Sequence, residues 1–169
     1  MKDAATLYIP EAAPYPNSPL PVLVYPEVFA GEAPDFTRLF AQNGWSGIWV
    51  NGVYSFHHFH STAHEALGCQ SGWARVLLGG PDGSEVRVNR GDAVLLPAGI
   101  SHKLIECSRD FSIVGAYPRG QSPDLNRGEP KDFERLQAAC LALPLPGTDP
   151  VLGARGPVFT YWHTAAKGE

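Results

Sequence analysis

The chain has no run of Lys or Arg, no pair of cysteines at metal or redox spacing, and no apolar run near the ~18 residues a membrane span needs. Scattered cations and a net charge of −4 argue against a nucleic-acid partner, because counterion release from a phosphate backbone needs clustered positive charge. The missing apolar run argues against a membrane partner. Cys69, Cys107 and Cys140 are odd in number and far apart, so reduced thiols and a cytoplasmic location are expected. Met1–Thr6 also lacks the charged-then-apolar order of a secretory signal. Charged residues are scarce at 18% against 44% hydrophobic, which excludes a disordered or acidic-tail chain.

What the chain does have is 169 residues, enough for one domain with a real core, and 18 Gly with 16 Pro. Those two residue types make up a fifth of the sequence, against ~12% in average usage. Many turns between short elements are expected, which favours β structure. Residues 1–30 read as a proline-rich arm whose run Val22-Leu23-Val24-Tyr25 is an edge strand, since Pro is confined to sheet edges and strand ends. The remainder, 31–169, reads as one barrel domain. Pro34 and Asp35 suit a first helical turn and Gly44 a position after the last, so the spacing predicts a short helix over 34–43.

From Trp45 to Tyr117 short β-branched and aromatic runs alternate with Gly, Pro and Asp: 47–50, 74–78, 85–88, 93–96 and 111–117. Gly79–Gly83 reads as a hairpin turn. Strands at such spacing predict an all-β sandwich or barrel. A second helix is predicted over 132–143, stopped by Pro144 and Pro146, and the tail 130–169 is expected to finish with a strand near 159–163.

Five of the six histidines fall between 57 and 102. In the pair His58-Phe59-His60, residues two apart on a strand point to one face, so both imidazoles can reach one metal ion. Glu65 follows a turn and can return to the same point, and His102 lies on another strand after Pro97-Ala98-Gly99. Three imidazoles and a carboxylate suit one divalent transition metal ion: Fe, Mn, Ni, Cu or Zn.

The positions Gly52, His58, His60, Glu65 and Gly72, then Gly91, Pro97, Gly99 and His102, match nine of the ten signature positions of the cupin superfamily at its fixed spacing. The chain therefore resembles a cupin, and its C-terminal features resemble the YjlB-type branch of small bacterial cupins. The resemblance implies a single jelly-roll (double-stranded β-helix) barrel with motifs over 52–106. It also implies a metal held by His58, His60, Glu65 and His102, a small-molecule ligand and a homodimer. The activity it implies is a metalloenzyme of dioxygenase or isomerase/epimerase type; a non-catalytic binding or sensor protein, or a metal-free structural barrel, is the alternative.

The departure is Glu106, which stands where the signature has Asn. Counted by alternation from His102 it faces the barrel interior, as a general base or as the partner of an interior Arg, Tyr or Trp, unless it sits at a barrel end and reaches solvent. Tyr54 and Phe56 share the parity of His58, and Cys69 that of Glu65, which predicts a substrate pocket. Arg75, if inward, would hold a substrate carboxylate. His64, beside Glu65, either orients that carboxylate, replaces it as ligand, or is structural. His57 is expected at the surface, Cys107 outward, and Cys140 on the apolar face of the second helix.

Overall fold

The computed structural model describes residues 1–166. Among these residues nine strands form two antiparallel sheets, the two halves of a jelly-roll barrel. In chain order they are β1 Ala5–Ile9, β2 Ser18–Tyr25, β3 Ser46–Asn51, β4 Glu65–Ser71, β5 Trp73–Leu78, β6 Ser84–Asn89, β7 Ala93–Leu96, β8 His102–Cys107 and β9 Ser112–Tyr117. The larger sheet runs β1-β2-β7-β4-β9-β3 and the smaller β6-β5-β8.

Alternation along each strand divides the core in two. Val22, Leu67, Cys69, Val94, Leu96 and Ile113 turn inward and pack against Ala74, Val76, Leu78 and Val88 of the smaller sheet. Their neighbours Leu23, Ala66, Ala93, Leu95, Val114 and Ala116 turn the other way and are buried as well. They are covered by Phe36 and Phe40 of helix α1 (Phe36–Gln42) and by Val151, Val158 and Trp162 of the C-terminal segment. Asp35 caps α1 by accepting from the Arg38 amide. Gly68 is where α1 meets the sheet: a Cβ there would lie 2.3 Å from the Phe36 ring. The smaller sheet has no such cover, and Trp73, Arg75, Glu85, Arg87 and Glu106 are partly or fully open to solvent.

Two expectations are corrected. Val22–Tyr25 is not an edge strand, because β2 lies between β1 and β7 and the edge belongs to β1. The prolines Pro19 and Pro21 sit where the β1–β2 register slips, so neither interrupts the paired region at Leu23–Tyr25. Nor does the tail end in a strand: Val158–His163 is a π-helix running into a helical turn at Thr164–Ala166. Its β-forming residues Val158 and Trp162, four apart, are both fully buried, so helical spacing against the sheet overrides local preference. The second helix, α2, spans Phe133–Ala142 after a 3-10 turn, with Cys140 buried as expected. Residues 167–169 of the tail lie outside the described residues.

Candidate metal centre

Glu65 opens β4 and His102 opens β8, so each sits at the end of a strand on the same mouth of the barrel. His58 and His60 lie just before, in an extended segment that is not a full strand but is pinned by bridges. His58 exchanges backbone hydrogen bonds with His102, and Phe59 with Asn126. The ligating atoms of His58, His60 and His102 lie within 4.8 Å of one another. Glu65 Oε1 is 3.4 Å from His60 Nε2 and 3.2 Å from His102 Nε2. His58, Glu65 and His102 are buried, and His60 nearly so.

The tautomers follow from the partners. Each Nδ1 faces a main-chain carbonyl, which can only accept: Phe56 O at 2.9 Å for His58, Asp124 O at 2.5 Å for His60, and Ile100 O at 3.0 Å for His102. All three Nδ1 atoms therefore donate, the Nε2 lone pairs of His60 and His102 meet one carboxylate, and the third ring, His58, stands beside them. Lone pairs that close need a cation between them. Metal–ligand bonds of about 2.0–2.2 Å would separate neighbouring ligand atoms by roughly 2.8–3.6 Å, and the distances from Glu65 Oε1 to His60 and His102 fall within that range. Without a metal a proton serves: burial works against charge on His60, but the hydrogen bond and charge of Glu65 outweigh it and raise its pKa. For His58, burial and then the neighbouring His102 push the pKa down to about 3, leaving a neutral imidazole. Glu65 is held below the usual carboxylate range; burial opposes this, but the two imidazoles dominate.

A further group supports the carboxylate. Tyr117 O–H donates to Glu65 Oε2 at 2.9 Å, and Trp49 Nε1–H donates to the Tyr117 oxygen at 2.7 Å. Trp49 can reach only because residue 115 is glycine: a Cβ there would lie 2.1 Å from the indole. Asp124 supports the other side, since its carboxylate accepts from the Ser61 amide at 2.6 Å and from the Ser61 hydroxyl. None of these residues stood out in the sequence reading. Tyr117 shares the inward parity of Ile113 and was findable by alternation, whereas Asp124 sits in a loop with no period.

The remaining expected site residues separate. Tyr54 lines the cavity over the four donors. Phe56 lies outside that lining, stacked on Tyr54 and edge-on to His58. Cys69 points inward but deeper, its Sγ 3.4 Å from Ser71 O, and burial pushes its pKa up to about 12. Glu106 and Arg75 are not in the interior at all. They pair with each other at 2.9 Å on the outer face, where Arg75 also pairs with Glu85. The reason is a bulge: Val76 pairs with Leu104 but Arg75 with Glu106, so Ile105 is an extra residue and the parity counted from His102 inverts beyond it.

His64 also points away from the donors. Its Nδ1 accepts from the Ala98 amide at 2.9 Å and its Nε2 donates to Pro144 O at 3.2 Å, so both nitrogens are used and it is not a ligand. Burial pushes its pKa down to about 4. His57, expected at the surface, is half-buried with its ring 5.6 Å from Tyr15. Cys107 is exposed, as expected.

No protein-family model matches the chain. It is 34% identical over 164 residues to the uncharacterized protein YjlB of Bacillus subtilis (strain 168), covering 95% of this chain and 98% of that one. Among solved structures, acireductone dioxygenase from Bacillus anthracis with cadmium in its active centre is 17% identical, with a TM-score of 0.38 over 53% of this chain and 61% of that one. The TDP-fucose-3,4-ketoisomerase WlaRA from Campylobacter jejuni is 14% identical, with a TM-score of 0.43 over 55% and 74%. RmlC from Streptococcus suis, in complex with dTDP-D-xylose, is 10% identical, with a TM-score of 0.40 over 69% and 70%. Scores this low leave those proteins' activities without bearing on this chain. Among the described residues no helix is long and apolar enough to cross a membrane.

Proposed function

The chain belongs to the family of Bacillus subtilis YjlB and is a cupin, and from that premise we propose that it is a metal-dependent enzyme acting on a small molecule. One observation carries the reading: three Nε2 lone pairs and Glu65 Oε1 converge while every Nδ1 is committed to a carbonyl. His58, His60, Glu65 and His102 would hold one divalent ion of Fe, Mn, Ni, Cu or Zn. When bound, such an ion supplies Lewis-acid polarisation of a substrate oxygen or, where it is redox-active, the means to use dioxygen.

The chain's own contribution is positioning. Tyr117 holds Oε2 of Glu65, leaving Oε1 for the ion, and Trp49 fixes the Tyr117 oxygen so that its proton points at the carboxylate. The carbonyls of Phe56, Asp124 and Ile100 fix the three ring orientations. Of the two chemistries, a dioxygenase type is favoured over an isomerase. Proton transfer at carbon is best served near neutral pH by an unengaged carboxylate or imidazole, and among the described residues those lining the cavity are the four donors and Asp124, which is tied to Ser61. The same lack of a free base favours one second reading, a non-catalytic small-molecule binding protein.

The test is elemental analysis of tag-free protein purified without added metal, beside a His58→Ala/His60→Ala variant. Near-stoichiometric transition metal that the variant loses is the expected result. No metal as purified and none after soaking would overturn the metalloenzyme.

A further inference from the structure

The cavity over the four donors encloses about 550 Å³. Its rim carries Val50, Tyr54 and Leu125, which are 55%, 56% and 50% exposed although each is apolar or aromatic. Three such side chains around one opening form a patch, which marks a contact for something apolar. Further in, the wall continues with Trp49, Val53 and Leu67. Among the described residues no Lys or Arg lines the cavity. Arg127, close in sequence to Leu125, lies instead with its guanidinium 3.9 Å over the ring of Phe56, outside the lining. Among the described residues the Asp, Glu, Lys and Arg side chains in the wall are two carboxylates, Glu65 and Asp124, and a divalent ion would balance those two. An anion brought here meets no cationic side chain and loses its water, which is costly.

We propose that the ligand of this cavity is a small, largely apolar molecule whose polar edge is the set of oxygen atoms turned towards the metal, and that phosphorylated or otherwise strongly anionic molecules are rejected. This names the substrate class for the metalloenzyme proposed above and rests on that reading.

The experiment compares two probes with one chelating end, 4-methylcatechol and 3,4-dihydroxybenzylphosphonate, titrated by calorimetry into zinc-loaded protein of measured zinc content. The uncharged tail is expected to bind about tenfold tighter or more. Leu125→Lys, at a half-exposed rim position, is expected to narrow that ratio. Equal or tighter binding of the phosphonate, or binding of neither, overturns the proposal. If the protein takes up no zinc, it is the metal reading that has failed. The substrate class is then decided on metal-free protein with N-phenyl-1-naphthylamine against 1-anilinonaphthalene-8-sulfonate, which differ by a sulfonate. Preference for the neutral probe, weakened by filling the cavity with Leu67→Trp, supports the class. Preference for the sulfonate, or no binding, overturns it.

Discussion

The inner strands β2, β7, β4 and β9 of the six-stranded sheet are buried on both faces, while the three-stranded sheet is buried on one and leaves its other face to water. The candidate metal centre draws unequally on the two. Glu65, Tyr117 and Trp49 come from β4, β9 and β3 of the six-stranded sheet, and His102 comes from β8 of the three-stranded one. Glu65 and Tyr117 are therefore held where packing fixes their neighbours, and Trp49 reaches in from the sheet edge. On β8 the strand bulges only three residues beyond His102, and the rest of β8 past that point takes no part in the site. A sheet with one wet face tolerates a bulge cheaply, because the displaced side chains turn out to solvent rather than into a second core.

The largest effect expected from this difference is on stability. Trp162 is fully buried against the six-stranded sheet and donates its indole N–H to Pro21 O at 2.9 Å. Trp162→Ala should cost about 3–5 kcal/mol in chemical denaturation. Trp73, half-buried on the open face of β5 beneath Arg87, should cost far less when changed to Ala. Equal losses would mean that the smaller sheet is covered in solution.

Next in size is a pH effect at His64, which braces the outer side of the same doubly buried region with its ring 5.0 Å from Trp162. Its pKa is about 4 in the folded chain against the ordinary 6.5. Between those values the unfolded chain binds the extra proton, so stability is complete above pH 6.5 and falls as pH drops towards 4. The loss from this group is about 3 kcal/mol. Denaturation midpoints across that range should slope for the wild type and flatten in His64→Gln, referenced to each protein's value at neutral pH. An equal slope in both would place the pH response elsewhere.

Tyr117→Phe sharpens the comparison at the site itself. It removes the O–H that holds Glu65 Oε2 and leaves the Trp49 N–H without its partner. Metal affinity should fall about 10–100-fold while the protein remains folded. Gly115→Ala, which keeps Tyr117 but drives the indole off it, should reproduce part of that loss. Unchanged zinc affinity in both variants would remove the six-stranded sheet from the support of the carboxylate.

How much of this was legible in the sequence differs between the sheets for the same reason. The fold and the meeting of His58, His60, Glu65 and His102 could be read, because glycines, prolines and polar residues at fixed spacing determine turns and strand ends locally. Ala93–Leu96 and Ser112–Tyr117 announced themselves as continuous apolar runs, since both of their faces are buried. Burial on both faces also hid Tyr117 among core residues. The bulge at Ile105 was not legible, because nothing in Leu104-Ile105-Glu106 states that one residue leaves the ladder; only pairing with β5 decides it. The C-terminal π-helix was misread because its residues favour strands and its conformation is set by the sheet it covers.

The smallest effect is expected at Glu106. Its carboxylate lies on the wet face of the smaller sheet, 2.9 Å from Arg75 and separated from the donors by the sheet itself. Glu106→Gln keeps the size of the side chain and removes only the charge from a solvent-exposed pair, the kind of contact that contributes little and fades in salt. Zinc content, probe binding and turnover should therefore match the wild type, and any shift in the denaturation midpoint should vanish in high salt. Lys103→Gln, on the same strand ahead of the bulge, serves as a control for a charge removed without a register change. A Glu106→Gln variant that keeps its metal but loses turnover would mean that β8 runs through position 105 without a bulge in solution. In that register the carboxylate faces inward and the cavity regains the base that it otherwise lacks.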